Sequence, residues 1–319
     1  MDHIEQHRKP VIVLGASGYV GRRVMEALNG SGRWRAIPVS RRPAKAGWVT
    51  ADAVDVIAMR ALLSKEGAHV VNCVAGRSMM QATDTLCRAA REVGGGRIVH
   101  LSSMAVYGTA TGLVTESQEP VAPLSGYGQT KLECERRLRR HMDGGGSVVI
   151  LRPSCVFGPG SPQWTTRIAR LLRARRLGDL GAAGDGGCNL IFVDDLAATV
   201  VNALDTPEGC GQAFNVSSPD VPTWNEFLVR FGMALNAVPV RRIPARMLKL
   251  ETKLLAPARR VLAKGTDHPL TEAITPSLLA LFGQGIRLDS TRAIRTLDMP
   301  ARSVSRMIDA VSRPEMALA

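Results

Sequence analysis

Tyr127 and Lys131 stand four residues apart in Ser125-Gly-Tyr-Gly-Gln-Thr-Lys131, downstream of Ser102-Ser103 and of a glycine-rich opening, Gly15-Ala-Ser-Gly18-Tyr-Val-Gly21. On a helix, positions i and i+4 share a face, so the spacing predicts the Lys131 ammonium beside the Tyr127 phenol. A free tyrosine, with a pKa of about 10, is a poor base at neutral pH, and a neighbouring cation favours its phenolate. The expectation is that Lys131, helped by an oxidised nicotinamide ring, lowers that pKa. Tyr127 would then exchange a proton with a substrate oxygen that Ser103 holds by a hydrogen bond, while hydride passes between nicotinamide and substrate carbon. The bland alternative is a surface lysine beside a half-buried tyrosine. What favours chemistry is the order along the chain: glycine loop, serine strand, then the Tyr/Lys helix.

The elements that must position these groups follow from patterning. Val11-Ile-Val-Leu14 reads as a buried parallel strand, and Val20, Val24 and Leu28 repeat at helical spacing after the glycines. Glycines there let the backbone turn tightly and approach a pyrophosphate set against the helix N-terminus. Gly15, Ser17, Gly18, Tyr19, Val20 and Gly21 are the candidate contacts. The spacing is Gly-x-x-Gly-x-x-Gly rather than Gly-x-Gly-x-x-Gly. A second strand ends in Ser40-Arg41-Arg42, where an NAD site would place a carboxylate for the ribose 2′-hydroxyl. Arginine there suits a 2′-phosphate, so NADP is expected over NAD, with Arg41 the phosphate contact and Arg42 stacking on adenine or facing solvent. Asp52, followed by Ala53, is placed to accept from the adenine amine, and Asp55 reads as a helix cap.

With these residues in place, the chain resembles the extended short-chain dehydrogenases/reductases, the NAD-dependent epimerase/dehydratase family. Further matches are Val71-Asn-Cys-Val74-Ala75-Gly76, Arg97 to Gly108, Leu151-Arg-Pro153-Ser-Cys155-Val-Phe-Gly-Pro-Gly160, and Phe192-Val-Asp-Asp-Leu-Ala197. The resemblance makes Ser103 the catalytic serine, with Ser102 its supporting neighbour. It also places Val74, Ala75, Gly76, Tyr127, Lys131 and Pro153 at the cofactor, and implies a Rossmann-type doubly wound parallel sheet with a smaller C-terminal substrate lobe. Dehydratases of this family carry an Asp-Glu pair where this chain has Met104 and Ala105, so elimination of water is not expected. Sugar-nucleotide epimerases typically have Asn at the position of Cys155 and Arg-Asp at Cys188-Asn189, which grip a diphosphate. Without that forked arginine a nucleotide sugar is disfavoured. Leu151-Arg-Pro, Ile243-Pro, His268-Pro-Leu-Thr271 and Arg287 to Ala293 resemble instead the 3β-hydroxysteroid dehydrogenase and dihydroflavonol reductase side. Met104, Ala105, Cys155 and Cys188 are candidate substrate contacts, the two thiols having the alternative of simply being small buried side chains.

Organisation is expected as residues 1–152 forming the nucleotide domain, with 189–217 returning to it, and 153–188 plus 218–319 forming the substrate lobe. Strands are predicted near 11–14, 35–39, 48–51, 70–73, 97–102 and 148–151, helices over 81–93 and 125–141, and a mobile loop over Gly178–Gly187. The 319 residues are 45% hydrophobic, ordinary for an enzyme of this size. No long apolar run or signal-like start is visible, so a cytoplasmic protein is expected. Cysteine spacing suggests neither disulfide framework nor metal. The 41 basic and 28 acidic residues give a net charge of +13, but the arginines are scattered and no nucleic-acid module is visible. The basic stretch Arg241–Leu262 reads as an amphipathic helix covering the substrate pocket, with peripheral membrane contact the less favoured use. Helices 81–93 and 125–141 would form a homodimer contact by resemblance alone.

The expected activity is an NADP-dependent interconversion of secondary alcohol and ketone on a mainly apolar small molecule. A sugar or sugar-nucleotide epimerase using the same three residues is the first alternative, and a non-catalytic NADP sensor the second.

Overall fold

The computed structural model describes residues 8–42, 46–64, 68–120, 123, 125–252 and 273–312. Its strands are β1 (Lys9–Leu14), β2 (Trp34–Ser40), β3 (Val49–Thr50), β4 (His69–Asn72), β5 (Ile98–Leu101), β6 (Gly112–Val114), β7 (Val148–Pro153), β8 (Cys155–Phe157), β9 (Leu190–Phe192), β10 (Gln212–Val216) and β11 (Ile286–Leu288). The helices are α1 (Tyr19–Gly30), α2 (Val56–Ser64), α3 (Met79–Val93), α4 (Gly126–Asp143), α5 (Arg167–Arg173), α6 (Val193–Asp205), α7 (Trp224–Ala234), α8 (Ala245–Leu250), α9 (Pro276–Phe282), α10 (Thr291–Leu297) and α11 (Val304–Ser312).

Seven strands pair in the order β10-β7-β5-β4-β1-β2-β3, every neighbour parallel. A parallel strand covered by helices on both faces must be apolar throughout, and the Val-Ile-Val-Leu run of β1 is buried at all four positions. From β1 the chain builds outward to β2 and β3, then crosses back to place β4 on the other side of β1. That reversal opens a crevice at the carboxyl ends of β1 and β4, the place where open α/β sheets bind ligands. The doubly wound Rossmann-like sheet expected from the sequence is therefore present.

Three details differ from expectation. Leu190–Phe192 pairs with β8 in a separate two-stranded sheet, and the chain rejoins the main sheet only at β10. The loop expected to be mobile, 178–187, is held instead. Asn225 accepts from the Leu180 amide and donates to the Gly181 carbonyl, both at 2.8 Å, and the Gly186 amide donates to Phe282 O at 3.0 Å. Residues 241–243 are not helical: Arg242 forms a β-bridge with Asp179, and the helix starts at Ala245. Leu248 of α8 is buried while Met247 and Leu250 are exposed; the rest of the basic stretch, and His268–Thr271, lie outside the described residues.

Beyond the sheet, a second core gathers Phe157, Trp224, Phe227, Phe231 and Phe282 with Met104, Cys155 and Cys188. Trp224 and Phe282 rings lie 4.6 Å apart, and Phe157 meets Phe227 edge-on at 5.6 Å. This apolar body flanks the carboxyl end of β5, where the chemistry-bearing side chains gather.

Candidate functional site

Two glycine contacts build the loop after β1. Gly15 has φ +76°, and a Cβ there would lie 2.9 Å from the backbone of Cys73 at the end of β4. A Cβ on Gly21 would fall 2.3 Å from Gly15 O, so α1 packs on the loop only because that position is bare. Gly18 caps α1 with no side-chain hydrogen bond, and the first turn carries no acid. The N-terminal end of α1 thus sits at the glycine loop, the kind of place where anions bind.

A cavity of about 560 Å³ lies there. Of the predicted cofactor residues, it is lined by Gly15, Ser17 and Gly18 from the loop, Ser40, Arg41 and Arg42 from the end of β2, Asp52 and Ala53 beyond β3, and Val74 and Ala75 beyond β4. Leu14, Val39, Ala51, Cys73 and Ser78 line it too and were not anticipated; a strand's last buried residue is the signal that finds Leu14 and Val39. Tyr19, Val20, Gly21, Gly76, Tyr127, Lys131 and Pro153 do not line it. The Tyr19 hydroxyl packs against Gly158, where an added Cβ would stand 3.0 Å away, and Val20 packs on the sheet core. Asp52 spends one carboxylate oxygen on the Val54 amide at 3.2 Å, and Asp55 caps α2 through the amides of Ile57 and Ala58.

Ser103, Tyr127 and Lys131 converge at the end of β5. The Ser103 side chain accepts from the Ala105 amide at 3.2 Å and starts the tight turn Met104–Tyr107. Ser125 caps α4 by accepting from the Gly128 amide at 3.2 Å. Helix α4 then lies against the turn after Ser103 because Gly128 lacks a side chain: its Cβ would sit 2.5 Å from Ala105 O. That close approach brings Tyr127 to Ser103. One turn later Lys131, 4% exposed, donates to Leu101 O at 2.5 Å, with its Nζ 5.9 Å from the Tyr127 ring centre.

Partial burial of the half-exposed Tyr127 raises its pKa; the Ser103 hydroxyl lowers it, and nearby Cys155 and Cys134 add to the rise. The Lys131 ammonium donates to the Leu101 carbonyl and stands over the Tyr127 ring. Burial also brings the Lys131 ammonium down to about 8, with Cys134, Cys73 and Glu135 opposing. Cys73 lines the cavity and acts on Lys131, which links the dinucleotide-sized crevice to the trio.

On the substrate side, Ala105 is half-buried, while Met104 and Cys155 are 7% and 5% exposed. Cys188 has no exposed surface, so it lines nothing and fills the core behind Cys155. Asn189 is wholly structural, donating to Gly187 O and Ile286 O and accepting from the Leu288 amide. Among the described residues no group of acids, histidines and cysteines could hold a metal, and no helix is long and apolar enough to cross a membrane.

A switch-point crevice with a glycine loop at its floor, in a chain that also gathers a Ser/Tyr/Lys cluster at the end of β5, defines a dinucleotide-binding α/β protein of the short-chain dehydrogenase/reductase type. The profile of the NAD dependent epimerase/dehydratase family matches residues 11–217, and the chain belongs to that family. It is 28% identical to the UDP-glucose 4-epimerase of Vibrio cholerae over 165 residues, covering 51% of this chain and 50% of that one. It is 31% identical to the 2-alkyl-3-oxoalkanoate reductase of Stenotrophomonas maltophilia over 169 residues, 49% of each. The chain thus spans about half the length of these two relatives. A UDP-glucuronic acid 4-epimerase from Bacillus cereus, solved with UDP-glucuronic acid and NAD, superposes with a TM-score of 0.72 at 18% identity, covering 95% of this chain and 98% of that one.

Proposed function

We propose that the chain binds a nicotinamide dinucleotide and epimerises a sugar-type substrate at a CH–OH carbon, withdrawing hydride from one face and restoring it to the other. The convergence of Ser103, Tyr127 and Lys131 beside the crevice carries this reading. Family membership and the likeness to a UDP-glucose 4-epimerase support it. The glycine loop at Gly15 and Gly18 fits a pyrophosphate, and Ser40, Arg41 and Arg42 at the end of β2 line the cavity where an adenosine ribose would lie.

In this scheme Ser103 donates to the substrate oxygen and Tyr127 takes its proton as hydride leaves the carbon; the same proton goes back when hydride returns. Lys131 would hold the nicotinamide ribose with a donor left over from its bond to Leu101 O. The bound dinucleotide supplies the hydride acceptor. Because the protein alone leaves the phenol protonated at neutral pH, ionisation would be driven by added positive charge in the loaded site, and from a starting point above the free value this needs more than about 4 kcal/mol. Met104 and Ala105 offer no carboxyl pair for elimination, so hydride exchange is not followed by dehydration. Arg41 and Arg42, with no acid at the end of β2, favour NADP over NAD.

A second reading, net interconversion of an apolar secondary alcohol and ketone, is favoured by a specific observation. Cys188 and Asn189 occupy the diphosphate-gripping positions of the resembling epimerases, and both are consumed by the core. Loading the protein with NADP or NAD and offering UDP-sugars and apolar ketones separates the two. New sugar epimers in the proton NMR spectrum, with reduced-nicotinamide absorbance unchanged, support the epimerase. Stoichiometric NADPH loss with a ketone establishes the second reading. A protein that binds neither dinucleotide refutes both.

A further inference from the structure

Helix α4 carries Tyr127, Lys131 and Glu135 at successive i, i+4 positions, so one row of side chains meets the end of β5 repeatedly. Lys131 holds Leu101 O. Glu135, 1% exposed, takes the next residue: its Oε1 accepts from Ser102 Oγ at 2.5 Å. From the opposite side Arg152 of β7, with no exposed surface, locks the carboxylate in a fork, Nε to Oε1 at 2.9 Å and Nη2 to Oε2 at 2.6 Å. Arg152 Nη1 also donates to the Tyr107 hydroxyl at 2.8 Å. The Tyr107 hydroxyl donates to Asn215 Oδ1 at 2.7 Å, and Asn215 Nδ2 donates to Val114 O and Asp289 O at 3.0 and 3.2 Å.

A buried ion pair is a weak source of stability, because desolvating both charges offsets most of their attraction. Position is what distinguishes this one. It lies directly behind the segment that ends in Ser103, whose extended backbone (φ −165°, ψ 152°) aims the hydroxyl at Tyr127. Ser102 is the joint: its amide is fixed to Leu151 O at 2.7 Å, and its side chain is fixed to Glu135.

We propose that Glu135, held by Arg152, is a positioning residue that acts through the Ser102 hydroxyl to fix the Leu101–Ser103 segment so that Ser103 meets Tyr127. The role rests on the reading of Ser103 and Tyr127 as the reacting groups.

The Tyr127 titration tests it without a known substrate. The chain has three tyrosines, and burial pushes Tyr19 and Tyr107 up as well, so fluorotyrosine labelling with fluorine NMR follows each, and Tyr127→Phe assigns the signal. Groups acting on that phenol are Ser103, Cys155, Cys134 and, over its ring, Lys131. Ser102→Ala alters no charge, so a changed midpoint reads lost contact with Ser103. The expected result is a rise of about half a unit or more in the NADP-loaded protein, with Ser102→Thr retaining the native midpoint. An unmoved midpoint in Ser102→Ala overturns the role, whatever happens to the melting temperature. Should that variant not fold, the paired change Glu135→Gln with Arg152→Gln, which removes both charges together, decides by the same criterion. Full hydride exchange by Tyr127→Phe would instead refute the functional reading and leave this titration standing.

Discussion

The ammonium of Lys131 donates to the backbone carbonyl of Leu101 at 2.5 Å, which places a buried charge at the sheet edge 5.9 Å from the Tyr127 ring centre. Burial lowers its pKa from 10.5 to about 8. The unfolded chain therefore holds this proton up to about pH 10.5 while the folded chain releases it near 8. Between those values the unfolded state binds more protons, so stability rises with pH. Below pH 8 the folded protein bears the full cost of the buried charge, on the order of 3 kcal/mol. Relative to Lys131→Met, urea midpoints should shift in favour of the native chain between pH 7 and pH 10. A constant difference across that range would show that Lys131 keeps its solution pKa.

Tyr127→Phe should lower hydride exchange by about 10²- to 10⁴-fold, the usual worth of a positioned acid/base. Tyr127 is 49% exposed, so the variant should fold as stably as the parent and bind the dinucleotide equally well. Single-turnover rates on whichever sugar or ketone is converted, beside fluorescence titration of NADPH, check both halves. Loss of binding together with rate would assign the phenol to cofactor contact instead.

Much of this site was legible in the sequence because its causes are local. Gly15, Gly18 and Gly21 after an apolar run prescribe the loop, and the Tyr127/Lys131 spacing prescribes one helix face. Less visible were contacts made by folding distant segments together. The commitment of Lys131 to Leu101 O depends on how deeply α4 sinks against β5, which Gly128 decides by its packing on Ala105. Glu135, Arg152 and Tyr107 are far apart in sequence and look like ordinary members of a charged helix, a Leu-Arg-Pro strand and a strand-end turn. Cys188 could be read as core or as lining, and only burial chooses core. The loop near Gly184 looked mobile by composition, yet Asn225 ties it from a helix more than one lobe element away.

Glycines in this fold divide by what surrounds them, and the division is measurable. A Cβ at Gly21 would stand 2.3 Å from Gly15 O and 2.9 Å from Ala16 Cα, both backbone and unable to yield. Gly21→Ala must push α1 away from the loop, and should cost about 1–3 kcal/mol as overpacking does, together with loss of dinucleotide binding. Gly76 has φ +83° and nothing within 4 Å of a Cβ. Gly76→Ala should cost about 1 kcal/mol from backbone strain alone and leave binding intact. Denaturant melts and NADPH titration of the two variants compare them directly; equal losses would mean that the cradle does not depend on close packing.

Cofactor choice turns on the end of β2, where Arg41 and Arg42 line the cavity and the Ser40 hydroxyl accepts from the Arg42 amide at 3.3 Å. A carboxylate there would accept the ribose 2′-hydroxyl and repel a 2′-phosphate; two guanidinium groups reverse that preference. Hydrogen bonds to charged groups contribute about 1.5–3 kcal/mol, so removing one arm should weaken NADP binding roughly 10- to 100-fold and leave NAD almost untouched. Arg41→Ser is expected to show this and Arg42→Ser a smaller loss, because stacking on adenine serves both dinucleotides alike. Calorimetric titration of each variant with NADP and NAD gives the ratio directly. Equal weakening for both cofactors at Arg41 would remove the 2′-phosphate from its role and leave NAD the better candidate.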